Sequence, residues 1–196
     1  MELTPTIFNM FMKPLEKSAL HERRCKLISK VNGKVLEIGA GTGVNFNYYK
    51  NEKISDLTVI DLKFNNIIKN HPLNKIRKVN FLEGNVEKIP FQDNTFDSVV
   101  STLIYCSVDN PEMVLNEVYR VLKPGGRVYF IEHVLPEKKH YRNLLNTLNG
   151  AWKMIGKCNV NRETLKLIKK SNFKVIDFER FGKACFIFIK GIGVKE

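Results

Sequence analysis

The sequence lacks the features that mark several large classes of protein. Its four cysteines form no C-x-x-C pair, which argues against a zinc ribbon and against a redox dithiol. No apolar run approaches the roughly 18–20 residues that cross a bilayer, and the first residues, with Glu2 and Pro5, do not resemble a cleavable secretory signal. Repeats, low-complexity tracts and linkers are also missing. These absences predict one domain over residues 1–196, without a metal, in the cytoplasm.

What is present is the composition of an ordinary globular protein with an excess of positive charge. The 196 residues are 43% hydrophobic and 27% charged, which suits a chain that buries a sizeable core. The net charge of +12 favours an anionic partner, either a nucleic acid or a membrane surface. The basic residues form only short groups, however, which is also the pattern of solvated helix faces. Both interpretations stay open at this point.

Strands and helices alternate along most of the chain. Residues 5–30 are predicted to form one or two amphipathic helices, broken near Pro14, so that residues 1–30 make a helical N-terminal cap. Residues 137–171 are predicted to be a mostly helical insertion on the substrate side. Two strands without a helix between them end the pattern. The predicted strands are 35–38, 57–60, 79–82, 98–101, 127–132, 175–181 and 185–189, and the predicted helices between them begin at Val44, Phe64 and Pro111.

This alternation predicts the α/β class, with a mostly parallel sheet covered by helices on both faces and an antiparallel edge. Ligands of such sheets bind beyond the carboxyl ends of the strands, where the strand order reverses. Functional residues are therefore expected in the segments 37–43, 61–63, 83–86, 101–106 and 132–135.

A glycine-rich segment follows the first predicted strand. Its spacing, G-x-G-x-G at Gly39, Gly41 and Gly43, differs from the G-x-G-x-x-G of nicotinamide dinucleotide sites, where the last glycine would fall on Val44. The acidic Glu37 precedes it. A carboxylate at the loop does not help to bind an anionic diphosphate, but it suits a ligand that carries an ammonium and a sulfonium cation. The segment therefore argues against a nicotinamide-dependent enzyme.

Two further strand ends carry polar residues. Asp61 ends the second predicted strand, where a carboxylate can accept hydrogen bonds from both hydroxyls of a ribose, although a helix cap is the alternative. Asn85 and Val86 follow the third strand, where an amide oxygen and a backbone N–H can bind an adenine ring. A plain Gly-Asn turn is the alternative there.

These segments together resemble the successive motifs of the class I S-adenosylmethionine-dependent methyltransferases (type 11 methyltransferase domain). The resemblance implies a Rossmann-like, seven-stranded sheet with an antiparallel last strand. It also implies S-adenosylmethionine as cofactor and S-adenosylhomocysteine as product. Many relatives carry Asp where this chain has Asn85. The matching segments are V-L-E-I-G-A-G-T-G (35–43), Asp61, G-N-V-E-K-I-P-F (84–91), D-N-T-F-D-S-V-V (93–100) and L-K-P-G-G (122–126).

The resemblance also implies which residues contact the cofactor. They lie in the glycine-rich segment, at the end of the second strand, after the third strand and at the end of the fourth: Glu37, Gly39, Ala40, Gly41, Gly43, Asp61, Leu62, Asn85, Val86 and Thr102.

The substrate side offers fewer signals. Nucleic-acid amine methyltransferases usually place an Asn/Asp-Pro-Pro-aromatic tetrad after the fourth strand, and residues 101–108 lack it, which argues against a nucleic acid as partner. Glu132 and His133, at the end of the fifth strand, are candidates to remove a proton from the acceptor. Tyr105 is a third candidate catalytic residue, placed where it could line the acceptor pocket. A structural, hydrogen-bonded role is the alternative for His133.

A narrower resemblance concerns the acceptor. Residues 105–108 and 130–134, with Trp152 and Cys158-Asn159, are similar to methyltransferase-like proteins that S-methylate small thiols. They are more loosely similar to ubiquinone/menaquinone and phosphatidylethanolamine methyltransferases. This implies a small, partly apolar thiol, quinol or amine as acceptor, with methylation or binding of RNA or a lipid headgroup as the alternative. Residues 7–15 are too short to span a bilayer, so we expect at most a contact with its surface.

Overall fold

The structure, a computed structural model, describes residues 13–64, 68, 76–156 and 158–196, and a seven-stranded sheet lies at its centre. Valine and isoleucine fill the inner strands, and these residues favour extended backbone in a sheet that is buried on both faces. The strands are β1 Gly33–Ile38, β2 Ile54–Asp61, β3 Val79–Glu83, β4 Phe96–Thr102, β5 Leu122–His133, β6 Lys174–Lys183 and β7 Phe186–Val194.

The strand order is β3-β2-β1-β4-β5-β7-β6. Strands β1 to β5 pair in parallel, and β7 is antiparallel to both β5 and β6. The predicted mostly parallel, seven-stranded sheet with an antiparallel last strand is confirmed. The chain moves outward from β1 in one direction to β3 and then returns to β4 on the other side. The carboxyl ends of β1 and β4 therefore diverge into a crevice, which is where ligands of such sheets bind.

Helices cover both faces of the sheet because adjacent strand residues point in opposite directions. Val35 packs with Leu27 and Ile28 on one face, and its neighbour Leu36 packs with Val114 on the other. Within the described residues, no helix is both long and apolar enough to cross a membrane. The helices are α1 His21–Ile28, α2 Pro111–Val121, α3 Lys139–Gly156 and α4 Thr164–Lys170, with a π-helical turn Glu16–Leu20 before α1 and 3₁₀ turns at Val44–Asn47 and Asn51–Lys53.

Two local predictions are wrong. A third, the break near Pro14, stays a prediction, because residues 13–15 are helical and lead through the π-helical turn into α1 but residues 1–12 lie outside the described residues. The helix predicted from Val44 is only a 3₁₀ turn, Val44–Asn47, in which Asn45 and Phe46 are buried. Residues 124–126 do not lie outside the sheet, since β5 starts at Leu122 and bulges there. The helix predicted from Phe64 falls largely outside the described residues.

Candidate active site

A cavity of about 440 Å³ opens at the carboxyl ends of β1, β2 and β4. A volume of this size suits a small-molecule ligand. The residues implied as cofactor contacts converge here with the exception of Glu37 and Gly43. Those that line the cavity are Gly39, Ala40, Gly41, Asp61, Leu62, Asn85, Val86 and Thr102.

The glycine-rich segment forms the floor of the cavity. Gly39 has φ +65° and Gly41 has φ +58°, a conformation that costs other residues about 1–2 kcal/mol each. A Cβ on Gly39 would lie 2.1 Å from Cδ1 of Ile104, whereas one on Gly41 would meet nothing within 4 Å. The space beside the Cα of Gly41 therefore belongs to the cavity, and Gly39 allows the loop after β4 to pack against it.

Asp61 connects the end of β2 to this floor. Its Oδ2 accepts a hydrogen bond from the N–H of Gly41 at 3.0 Å, and its backbone carbonyl accepts one from Gly84 at 2.8 Å. The carboxylate is only partly buried and lines the cavity. Asp61 thus holds three segments of the site in register while its side chain stays within reach of a ligand.

Asn85 and Val86, which follow β3, close the end of the cavity at that strand. The Asn85 side-chain oxygen accepts a hydrogen bond from the N–H of Glu87 at 2.8 Å, so the Gly-Asn turn weighed above is present. An amide oxygen has two lone pairs, and the exposed Asn85 keeps capacity for a ligand. The buried Val86 offers an apolar wall. Both the turn and the ligand interpretation are compatible with this geometry.

Glu37 lies behind the lining of the cavity. Its Oε1 accepts a hydrogen bond from Asn45 Nδ2 at 2.9 Å and its Oε2 one from the Tyr49 hydroxyl at 2.6 Å. Burial raises the pKa of Glu37 to about 6, although these two hydrogen bonds and Arg24 act in the opposite direction. Asn45, which does line the cavity, stands between Glu37 and a ligand. Direct contact of Glu37 with a cationic ligand stays a prediction.

Arg24 brings α1 into the site. This buried guanidinium forms an ion pair with Glu16 at 2.9 Å and donates to Asn45 Oδ1 at 2.6 Å and to Thr102 Oγ1 at 3.1 Å. A paired, hydrogen-bonded arginine of this kind is stable in the interior only as part of its network. The N-terminal segment thus contributes a wall of the cavity, while residues 1–12 lie outside the described residues.

The loop after β4, residues 103–109, forms the remaining wall and is held from behind by Glu132. Leu103 has φ +56°, a strained conformation for leucine. The Glu132 Oε1 accepts from the N–H of Ile104 at 3.1 Å and lies 3.4 Å from the Ser101 hydroxyl. Its Oε2 has no partner. Burial raises the pKa of Glu132 to about 8, so at neutral pH it is a protonated carboxyl group that positions the loop.

Tyr105 and His133, the other candidates for chemistry, also lie away from the cavity lining. The Tyr105 hydroxyl is buried without a hydrogen-bond partner, and burial raises its pKa. The His133 Nε2 lies 3.0 Å from the carbonyl of Cys185, and burial lowers the pKa of the imidazole, which is therefore neutral and donates to that carbonyl. The proton-removing role of His133 and Glu132 stays a prediction, and the described geometry gives it no path to the cavity.

Sequence reasoning missed Arg24, Asn45 and Glu16. Asn45 follows the glycine-rich segment directly, and that proximity was an available signal. No spacing or motif connects Arg24 with the site, because its helix precedes β1 and reaches the cavity only through the tertiary fold.

Comparison with known proteins adds a consistent picture. A family model described as "Methyltransferase domain" matches residues 36–130. The chain is 37% identical to the thiol S-methyltransferase TMT1B of Rattus norvegicus over 74% of this chain and 62% of that protein. It is 31% identical to TMT1B of Homo sapiens over 86% of this chain and 75% of that protein. The chain thus spans less than two thirds of the length of the rat relative.

Two solved structures share the fold. The YcgJ protein of Bacillus subtilis superposes with a TM-score of 0.69 at 18% identity, over 90% of this chain and 99% of that chain. The N-methyltransferase NodS of Bradyrhizobium japonicum, in complex with S-adenosyl-L-homocysteine, gives 0.65 at 14% identity, over 90% and 87%. At these identities the likeness concerns the fold alone.

Proposed function

Because this chain belongs to the class I S-adenosylmethionine-dependent methyltransferases, we propose that it methylates the sulfur of a small, partly apolar thiol. S-adenosylmethionine, the cofactor of this family, would supply a methyl group bound to a positively charged sulfur, an electrophile with a good leaving group. The protein then has to bind the cofactor, align the acceptor and exclude water.

The cavity lining supports binding of this cofactor. Asp61 fits the ribose hydroxyls, the Asn85–Val86 turn fits the adenine, and the space beside the Cα of Gly41 fits the amino-acid part. The carboxylate of Asp61 gives the cavity an acceptor for hydroxyl hydrogens, and the buried Glu37 carboxylate behind Asn45 adds a negative group near the end where an ammonium would bind. A diphosphate bound here would lie next to carboxylate groups, which repel it, and not at a helix N-terminus, which binds anions.

The observation that carries the choice of acceptor is the set of ionisable groups in the lining. Among the described residues these are Arg24, Asp61, Glu87 and Asp109, with no histidine, lysine, cysteine or tyrosine. Carboxylates are weak bases and remove protons poorly from an amine or a quinol. A thiol ionises appreciably near neutral pH by itself, and its thiolate is the reactive form. The relatives named as thiol S-methyltransferases support the same choice.

Apolar side chains complete the acceptor side. Leu103, Ile104 and Val108 of the loop after β4 line the cavity next to the carboxyl end of β4. They favour an acceptor whose thiol is attached to a hydrocarbon group. Burial of such a group contributes about 25 cal/mol of favourable free energy for each Å² of apolar surface removed from water.

The test is incubation with isotope-labelled S-adenosylmethionine and matched acceptors of one carbon skeleton that end in a thiol, an alcohol or an amine, with a quinol added to the panel. We expect a labelled thioether from the thiol only. The pH midpoint of the rate should follow the pKa of the acceptor when an aromatic thiol replaces an aliphatic one. Asp61→Ala should reduce the rate, and Glu52→Gln, at an exposed position, should not.

Methylation of the amine or the quinol in place of the thiol would overturn the choice of acceptor. Because the net charge is +12, RNA and anionic lipid should be added to the panel of methyl acceptors. Methyl transfer to either that falls steeply with salt concentration would replace the small-molecule proposal.

A further inference from the structure

Two cysteines that are distant in sequence lie against each other beside the cavity. Cys106 belongs to the loop after β4, and Cys158 lies in the connection between α3 and α4. The carbonyl of Cys106 accepts hydrogen bonds from both the N–H and the side-chain amide of Asn159, at 2.7 and 3.2 Å. The residue next to Cys158 is thus fixed directly to Cys106. The absence of a C-x-x-C motif did not exclude a dithiol that the fold assembles.

The thiol of Cys158 accepts a hydrogen bond from Trp152 Nε1 at 3.1 Å. The thiol of Cys106 lies 3.6 Å from the carbonyl of Leu103 and 3.5 Å from the Ser107 hydroxyl, and it also interacts with Cys158. The interaction with Cys106 and the hydrogen bond from Trp152 lower the pKa of Cys158 below its ordinary value, against the effect of its burial. The hydrogen bond to Cys158 and burial, together with the charges of Cys158 and Glu132, raise the pKa of Cys106, while Ser107 lowers it. Of the two thiols, Cys158 is therefore the one that ionises more readily.

The two sulfurs also differ in access to solvent. Cys106 is buried, whereas Cys158 is only partly buried. A reagent from solution reaches Cys158 first, and Cys106 is held next to it. A disulfide needs Cα atoms about 4.4–6.8 Å apart. The 2.7 Å hydrogen bond between the Cys106 carbonyl and the N–H that follows Cys158 places the two segments that carry these thiols in direct backbone contact.

We propose that Cys106 and Cys158 are a redox-active pair that forms a reversible disulfide, in which Cys158 reacts with low-molecular-weight disulfides such as oxidised glutathione and Cys106 resolves the product. The Cys158 thiolate attacks one sulfur of oxidised glutathione, the S–S bond breaks, and one glutathione thiolate leaves. Cys106 then gives up its proton and attacks the Cys158 sulfur, and the second glutathione leaves. Two protein thiols are oxidised and one disulfide is reduced to two glutathione molecules.

The pair is placed to affect the methyltransferase site. Leu103, Ile104 and Ser107 precede and follow Cys106 in the cavity wall, and Arg162 donates to the carbonyl of Val108, another wall residue, at 2.5 Å. A covalent bond at Cys106 would turn this hydrogen-bonded contact between the α3–α4 connection and the wall into a fixed one. Oxidation should therefore slow exchange of the cofactor. This inference concerns residues outside the cavity lining and stands independently of the acceptor.

The test uses a Cys25→Ser/Cys185→Ser double variant, which keeps only the proposed pair. We expect oxidised glutathione to remove both remaining thiols and to give a Cys106–Cys158 linked peptide by mass spectrometry, fully reversed by dithiothreitol. Adding Cys106→Ser should trap a stable glutathione adduct on Cys158, and adding Cys158→Ser should leave Cys106 unmodified. Trp152, the single tryptophan, reports the reaction by fluorescence, since its N–H contacts Cys158.

Two results would overturn the proposal. One is that both thiols stay free in excess oxidised glutathione while the protein remains folded. The other is that a glutathione adduct persists in the variant with an intact pair, since it would show that Cys106 does not resolve it. Neither result depends on methyltransferase activity.

Discussion

Replacing Glu132 with glutamine should change how the stability of the protein depends on pH. Glu132 is fully buried and one of its oxygens has no partner. Burial raises its pKa to about 8, from an ordinary value of 4.5. The folded state therefore keeps a proton that the unfolded state releases. Because the pKa is higher in the folded state, the stabilisation is complete at pH values below the unfolded pKa of 4.5. It is lost as the pH rises towards the folded pKa of about 8.

The magnitude follows from the two pKa values. Each pH unit between them corresponds to about 1.4 kcal/mol, so from pH 5 to pH 8 this group alone should reduce the free energy of unfolding by about 3–4 kcal/mol. For a chain of this length that is roughly 10 °C in melting temperature. Glutamine has the same shape, stays neutral and can still accept from the N–H of Ile104. It should remove this part of the pH dependence without displacing the loop.

The assay is denaturant unfolding of wild type and Glu132→Gln at several pH values from 5 to 8. The difference between the two proteins isolates Glu132, since Glu37 and His133 contribute equally to both. Glu52→Gln, at an exposed position, serves as control and should follow the wild type. Parallel pH profiles for wild type and Glu132→Gln would refute the assignment of Glu132 as a buried, protonated carboxyl group.

Three further predictions concern the site itself. Asp61→Ala should weaken cofactor binding by roughly tenfold, about 1.4 kcal/mol, and unchanged affinity by calorimetry would remove Asp61 from the cofactor site. Gly39→Ala should destabilise the protein by at least about 1–2 kcal/mol and weaken cofactor binding, because its Cβ would collide with Ile104 at 2.1 Å; a well-folded variant with normal affinity would contradict this. His133→Gln should keep turnover within about twofold while lowering thermal stability, since His133 bonds the Cys185 carbonyl; a loss of a hundredfold or more in turnover would instead indicate proton transfer.

The sheet could be predicted because its signals are local. Apolar strands such as Val35–Ile38 end in glycine or acidic residues, and each pairs with a neighbour in parallel, as the alternation with helices implies. Shorter connections were harder. The segment after Gly43 has a helical pattern but forms only a 3₁₀ turn, because it turns Asn45 and Phe46 into the interior instead of continuing as a regular helix.

The candidate site was predictable where it is made of strand ends. Asp61 and Val86 line the cavity as the order of the motifs implied. The burial of Glu37 and Glu132 was not predictable, since a sequence does not show how many neighbours surround a carboxylate. Arg24 and the Cys106–Cys158 contact depend on segments far apart in the chain, and only the packed structure brings them together.

The position of β7 has a consequence for how the protein is made. This strand follows β6 in the chain yet lies between β5 and β6, and it forms all the described sheet pairing of β6. Until the ribosome has released Phe186–Val194, the hydrogen-bonding edge of β5 stays open to other extended chains, a state prone to aggregation. The residues that line the cofactor cavity, from Arg24 to Asp109, all precede β5 in the chain, so they leave the ribosome before β7 does. A methyl donor that binds this crevice would then stabilise the nascent chain before its sheet is complete.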